Sequence, residues 1–175
     1  MAREAPLAYF LTFTTYGRWL HGDRRGSVDR KRNEPGGPGI EPSPSLVQYE
    51  RDFRSKHPAV TFTTSEREAV RDALDETCRF RDWSLLALNV RTNHVHVVVA
   101  AEQAPERVLT ALKANATRRL VERGMRLGGR HVWTRHGSTR YLWTEDAVAA
   151  ACRYTLEAQD AASGRWDDPP DAYPG

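Results

Sequence analysis

The sequence predicts an α+β domain, an antiparallel sheet with helices packed on one face. Three observations carry this. Apolar segments of strand period and helix period alternate along the chain. The strand-like segments 83–90 and 94–101 are separated only by Arg91-Thr92-Asn93, whereas a parallel crossover needs a dozen or more residues. The length of 175 residues suits one core rather than two, so residues 1–160 are expected to form a single domain.

Residues 8–15 (AYFLTFTT) are β-branched and aromatic and stop before Gly17, which predicts a first strand. From 21 to 60 the chain is rich in Gly, Pro, Arg and Asp and lacks an apolar period through most of its length, so a long loop insertion is expected. Ser65 and Glu68 stand in capping-box spacing and predict the start of a helix, with Val70, Ala73, Leu74, Thr77 and Cys78 as its buried stripe. Trp83–Val90 and His94–Ala101 then read as a hairpin. A second helix is expected from Pro105 to Arg123, with Pro near its first turn and Gly124 past its end. Residues 130–143 look extended, with a kink at Gly137. Thr144 caps a last helix reaching about Gln159, whose first turn carries Glu145 and Asp146, favourable against the helix dipole. The polar, Pro-containing tail 161–175 is expected to fray.

Composition narrows the function classes. No run of 18 or more apolar residues exists, so no membrane span is expected, and the N-terminus lacks the pattern of a signal peptide. Cys78 and Cys152 lie far apart in apolar helical patterns, which favours reduced core thiols over a disulfide or zinc site. A cytoplasmic, nucleoid-associated location is expected. Net charge is only +3, yet all but Lys31, Lys56 and Lys113 of the 26 basic residues are Arg, the side chain whose planar fork pairs with phosphate. Residues 107–143 carry nine Arg or Lys against one acid, Glu122, which points to a polyanion partner; a solvated helix face is the competing explanation.

His94-Val95-His96 is the strongest local signal. On a strand, residues i and i+2 emerge on one face, so two imidazoles stand side by side while Val95, Val97 and Val99 face the core. Such a pair begins a divalent-metal site but also occurs as ordinary polar strand residues. Tyr154 is the second. On the last helix, positions 147, 150, 151, 154, 157 and 158 share one side, and apart from Tyr154 and Glu157 these are alanines. The apolar stripe is read as Val148, Cys152, Thr155 and Leu156, roughly opposite. A Tyr lying over a sheet edge with its hydroxyl in water would look the same.

Taken together, Asn93-His94-Val95-His96-Val97-Val98-Val99, the Lys113…Thr117-Arg118-Arg119-Leu120 helix, Trp133-Thr134…Gly137-Ser138…Arg140-Tyr141-Leu142-Trp143 and Arg153-Tyr154-Thr155-Leu156-Glu157 resemble the single-tyrosine HUH transposases, in particular the REP-associated tyrosine transposase branch. The opening Thr14-Thr15-Tyr16-Gly17-Arg18-Trp19-Leu20-His21-Gly22-Asp23 adds to the likeness, which covers about residues 9–159. The resemblance implies a ferredoxin-like sheet of the HUH endonuclease type presenting the two histidines, with the tyrosine helix packed across it. It also implies Mg²⁺ or Mn²⁺ held by His94 and His96, a scissile phosphate in single-stranded, hairpin-forming DNA, and Tyr154 as the nucleophile that forms a 5′-phosphotyrosine link. A phenol of pKa near 10 needs an electrophile activated by a Lewis acid, so the parts are chemically consistent.

The family's third metal ligand, a Gln or Asn four residues past the tyrosine, is replaced here by Ala158, which cannot ligate. Helix geometry favours Glu157 as substitute, and residue type favours Gln159. Lys113, Arg118, Arg119, Arg135, His136 and Arg140 are candidates for contacting the DNA, and Tyr16, Trp19 and Trp133 for stacking on bases or for plain packing. Tyr141 is a rival nucleophile outside the matched position. A monomer or a homodimer is expected. Two other functions remain open: a catalytically silent DNA-binding protein derived from such an enzyme, and a metal phosphoesterase that uses water.

Overall fold

The computed structural model describes residues 5–17 and 59–157, with Pro44, Ser45, Gln48 and Asp52 between them. Its elements run β1 (Ala8–Thr14), α1 (Thr64–Phe80), β2 (Ser84–Val90), β3 (His94–Ala100), α2 (Pro105–Glu122), β4 (Ser138–Leu142) and α3 (Glu145–Glu157). The four strands form one antiparallel sheet in the order β2-β3-β1-β4. A βαββαβ chain order with this strand order is the ferredoxin-like arrangement, so the expected α+β fold is the one observed.

Strand alternation divides the molecule. Val95, Val97 and Val99 of β3 join Leu11 and Phe13 of β1 beneath α1 and α2, where Val70, Leu74, Val108, Leu112 and Leu120 complete the main core. The intervening residues face the other way, where Ala8, Ala87, Val98, Leu142 and Ala151 make a smaller cluster with Phe10, Ala147 and Val148 packed against it. Helices α1 and α2 thus share one face, as expected, while α3 crosses the opposite face. Two apolar surfaces on one sheet require two covers, and α3 is the second. It buries little apolar area: its sheet-facing side chains are largely alanines, each contributing about 1 kcal/mol at most.

Local differences from the sequence reading have local causes. The cap of helix α1 lies two residues earlier than Ser65. Thr63 is the N-cap, its Oγ1 accepting from the Glu66 amide (3.2 Å) while the Thr63 amide donates to Glu66 Oε2 (2.8 Å). Two overlapping capping patterns were available, and the earlier one gains an extra helical turn fragment. Of the extended stretch 130–143 only 138–142 is a strand, and Trp133 reaches the sheet through an isolated bridge to Thr15. On α3 the buried residues are Ala151 and Thr155, and Leu156 is exposed. Of the expected stripe, Thr155 is buried and Val148 and Cys152 pack against the sheet cluster, while Leu156 turns outward; Tyr154, expected roughly opposite that stripe, instead meets Phe10 and His96 on the sheet side. Small side chains at 147 and 151 permit a closer approach to the sheet than a Leu would. Within the expected loop 21–60, the four described positions from 44 to 52 are helical, and Gln48 Nε2 donates to Asp52 Oδ1 at i+4 spacing (2.9 Å); the rest of that stretch up to residue 58, and the tail, lie outside the described residues.

Gly137 enters β4 where the chain presses on β1 and α2. A Cβ there would stand 2.7 Å from the Thr12 carbonyl oxygen and 2.9 Å from Leu109 Cδ2. Gly137→Ala is expected to lower stability by about 1–3 kcal/mol, read as a fall in melting temperature, whereas Gly124→Ala meets no atom within 4 Å and carries only the cost of its positive φ.

Candidate active site

The register of β3 on β1 sets the site. His94 lies opposite Thr14 and His96 opposite Thr12, on the sheet face that α3 crosses. His96 is buried and its Nδ1 is 3.0 Å from Thr12 Oγ1. The His94 Nδ1 is 2.5 Å from Asn93 Oδ1. Because an amide oxygen only accepts, His94 Nδ1 carries the proton in that contact and its lone pair sits on Nε2. Holding one ring nitrogen by a side-chain oxygen is how proteins orient an imidazole for metal ligation. The two rings are 4.8 Å apart between centroids and nearly perpendicular.

Burial, then the neighbouring His94 and then Arg91 push the His96 pKa down to about 4. The imidazole is therefore neutral at physiological pH, the form that donates a lone pair to a metal.

Tyr154 comes from α3 and closes the arrangement. Its ring centroid is 5.8 Å from that of His96 and 5.9 Å from that of Phe10, edge-on to both. Phe10 in turn stacks on His96 at 5.7 Å. Phe10 was not foreseen as a site residue, nor were Thr12, Asn93 and the buried Asn89 of β2. For Phe10, Thr12 and Asn89 the only signal is the period-two alternation of β1 and β2, which becomes informative once the strand pairing is known; Asn93 lies in the turn before β3, next to His94 in the quoted motif.

The other sequence-derived candidates are distributed unevenly. Arg140 pairs with Phe10 across β1 and β4 and so shares the histidine face. Arg135 and His136 are exposed in the segment leading to β4. Lys113 binds the protein itself: its ammonium donates to the carbonyls of Thr134 (2.9 Å) and His136 (3.0 Å), and burial lowers its pKa to about 8. Arg119 pairs with Glu76 of α1 and with Glu122, and Arg118 lies 3.8 Å from Glu122. Both belong to α2, across the sheet from the histidines. Trp133 is buried, with its indole donating to Thr117 Oγ1 and the Lys113 carbonyl, which is a packing role. Tyr16 is half-buried. Tyr141 lies opposite Tyr9 on the main-core side of β4, away from His96. Glu157 is exposed at the end of α3, and among the described residues no third His, Cys, Asp or Glu joins the histidine pair. Trp19 and Gln159 lie outside the described residues, as does Ala158.

Comparison with known proteins places the chain in a family. The sequence profile of the family described as Transposase IS200 like matches residues 45–146, more than half of the chain, and the protein belongs to that family. The match includes His94 and His96 and ends eight residues before Tyr154. Among solved structures, the fold is similar to that of a candidate transposase from Deinococcus radiodurans R1, at 18% identity and a TM-score of 0.48, covering 93% of this chain and 97% of the other. It is also similar to a REP-associated tyrosine transposase bound to a REP hairpin, at 11% identity and a TM-score of 0.48, covering 86% of this chain and 65% of that one. No curated relative matches. Among the described residues, no helix is long and apolar enough to cross a membrane. Cys78 and Cys152 are free thiols.

The depressed His96 pKa has a measurable consequence. The folded state holds His96 at about 4, below the roughly 6.5 of an unfolded His. Its contribution to stability is present in full above about pH 6.5 and is lost as pH falls towards 4, a change on the order of 2–3 kcal/mol. Thermal melts from pH 7 to 4 should show this fall in the wild type and a shallower one in His96→Gln.

Proposed function

We propose that this transposase-family protein cuts and rejoins single-stranded DNA at hairpin-forming repeats, with Tyr154 as nucleophile and His94 and His96 as holders of Mg²⁺ or Mn²⁺. The sequence motifs around His94, His96 and Tyr154 resemble those of the REP-associated tyrosine transposase branch. The observation that carries the reading is the meeting of Tyr154 and His96 at 5.8 Å, from elements 58 residues apart, on the sheet face away from the main core.

The donor set suits a divalent ion in part. The neutral His96 imidazole and His94, each held through Nδ1, are sound ligands, and oxygen donors from water or from the substrate phosphate would complete the shell of a hard cation. When bound, the ion supplies Lewis-acid polarisation of the scissile phosphate. The residues do the rest. The Tyr154 phenol loses its proton and its oxygen bonds to phosphorus; the bond from phosphorus to the 3′-oxygen breaks, and that oxygen takes up a proton. The product is a 5′-phosphotyrosyl strand and a free 3′-hydroxyl. The ester keeps the bond energy, so attack by a 3′-hydroxyl reverses the step without ATP. Arg140, on the same face, offers a guanidinium to the DNA backbone. Arg135 and His136 extend that basic edge, while Arg118 and Arg119 would serve a strand passing over the helical layer.

A silent DNA-binding protein is the second reading. It is favoured by the absence of a third His, Cys, Asp or Glu beside the pair among the described residues. Glu157, at the end of α3, and Gln159, outside the described residues, are the proposed third ligands.

On a denaturing gel with single-stranded hairpin DNA and Mn²⁺, the wild type should form a covalent protein–DNA band, and Tyr154→Phe should reduce it by at least about 10³-fold. Metal-dependent cutting that survives Tyr154→Phe would assign the protein to water-based phosphoester hydrolysis. Binding without cutting would favour the silent reading. Independently of DNA, Thr12→Val removes the oxygen that holds His96 Nδ1 and should weaken Mn²⁺ binding about 10–100-fold, measured by titration calorimetry. Thr14→Val, whose hydroxyl bonds Thr134 instead, should leave it near the wild-type value.

A further inference from the structure

Asn89 is out of place by the rules that govern its neighbours. Leu88 and Val90 flank it on β2 with apolar side chains, and Asn is disfavoured in a strand interior. Yet Asn89 is 7% exposed, and burying a carboxamide costs free energy unless its hydrogen bonds are made. Its position in the sheet is specific: it lies opposite His96 in the pairing of β2 with β3 and on the same face. Its Nδ2 donates to the carbonyl oxygen of Thr155, 3.0 Å away, and Thr155 is the residue after Tyr154.

That carbonyl belongs to the last turn of α3, where the final four carbonyls have no donor from within the helix. The Thr155 side chain does not help, since its Oγ1 donates back to the Ala151 carbonyl (2.8 Å), and no basic residue stands in the last turn. Helix α3 is also held by little apolar area, as its alanines and its exposed Leu156 show.

We propose that Asn89 is the positioning residue of this site, fixing the end of α3, and with it Tyr154, at a set height and rotation over His96. The inference rests on the reading of Tyr154 as nucleophile. A helix held mainly by small side chains can slide or turn, and a slip of one residue rotates its face by about 100°. Asn89 opposes both motions with a short, planar side chain rooted in the strand beside His96. Misplacement of a reacting group by about 1 Å is enough to cost about 10²-fold in rate.

The test compares wild type with Asn89→Asp, which keeps the size but presents an acceptor to the Thr155 carbonyl, and with Asn89→Leu, which puts an apolar side chain at this buried strand position and so guards against simple misfolding. Amide hydrogen exchange followed by mass spectrometry reads the tether. Exchange in the last turn of α3 should rise at least about tenfold in both variants, while β3 and α1 keep their protection. Adduct formation on a single-stranded hairpin oligonucleotide that the wild type cuts reads the positioning. The single-turnover rate constant should fall about 10²-fold while the dissociation constant for the strand changes less than about twofold. Unchanged exchange at the end of α3 would overturn the proposal, as would a loosened helix with an unchanged rate constant. A wild type that forms no adduct with any strand would refute the nucleophile instead, and the exchange measurement would still decide whether Asn89 holds the helix end.

Discussion

The pairing of β3 with β1 is the constraint on which both the core and the site depend. With Leu11 opposite Val97 and Thr12 opposite His96, every second residue of two strands enters the core beneath α1 and α2, and every other one faces α3. Side chains alternate with a period of two, so a slip of one residue would exchange the faces. Val95, Val97 and Val99 would be exposed and the two histidines forced into an apolar interior, where a charged imidazole is costly. Burial of the valines therefore also fixes where the imidazoles emerge. The stability of the fold and the placement of its chemistry come from the same register.

The two faces serve different ends. The α1–α2 face holds most of the large buried side chains and much of the basic helix surface, with Arg119 engaged by Glu76 and Glu122. The α3 face holds few large apolar groups and most of the groups that can act on a phosphate. An arrangement in which a lightly packed helix carries the proposed nucleophile leaves its position to specific contacts: Phe10 and His96 around the Tyr154 ring, and Asn89 at the Thr155 carbonyl.

Much of this was legible in the sequence, for reasons that particular residues make plain. The period-two pattern of HVHVVVA identifies both β3 and its two faces, because a strand in the middle of a sheet leaves no other solution. The fold class follows from the tight 91–93 turn. Tyr154 is harder. Its helix is short and rich in alanine, so several stripes have similar hydrophobicity; Thr155 reads as inward from the sequence, but only the sheet decides that Ala151 also faces inward and Leu156 outward. Capping boxes overlap at Thr63 and Ser65, and Thr and Ser are both favoured caps, so local sequence does not choose between them. Lys113 and Trp133 read as nucleic-acid contacts by residue type, but long-range partners decide their roles. The carbonyls of Thr134 and His136 take the ammonium, and Thr117 takes the indole proton. Asn89 and Thr12 carry no local signal, since their importance lies in what stands across the strand.

The central claim is that Tyr154 forms a covalent bond to DNA at a site built on His94 and His96. The most direct test is to incubate the protein with Mn²⁺ and single-stranded hairpin DNA, digest both components, and locate the nucleotide-bearing peptide by mass spectrometry. The account predicts a 5′-phosphodiester on Tyr154. A nucleotide attached to Tyr141 or any other residue, or cleaved DNA bearing a free 5′-phosphate and no attached peptide, would contradict it.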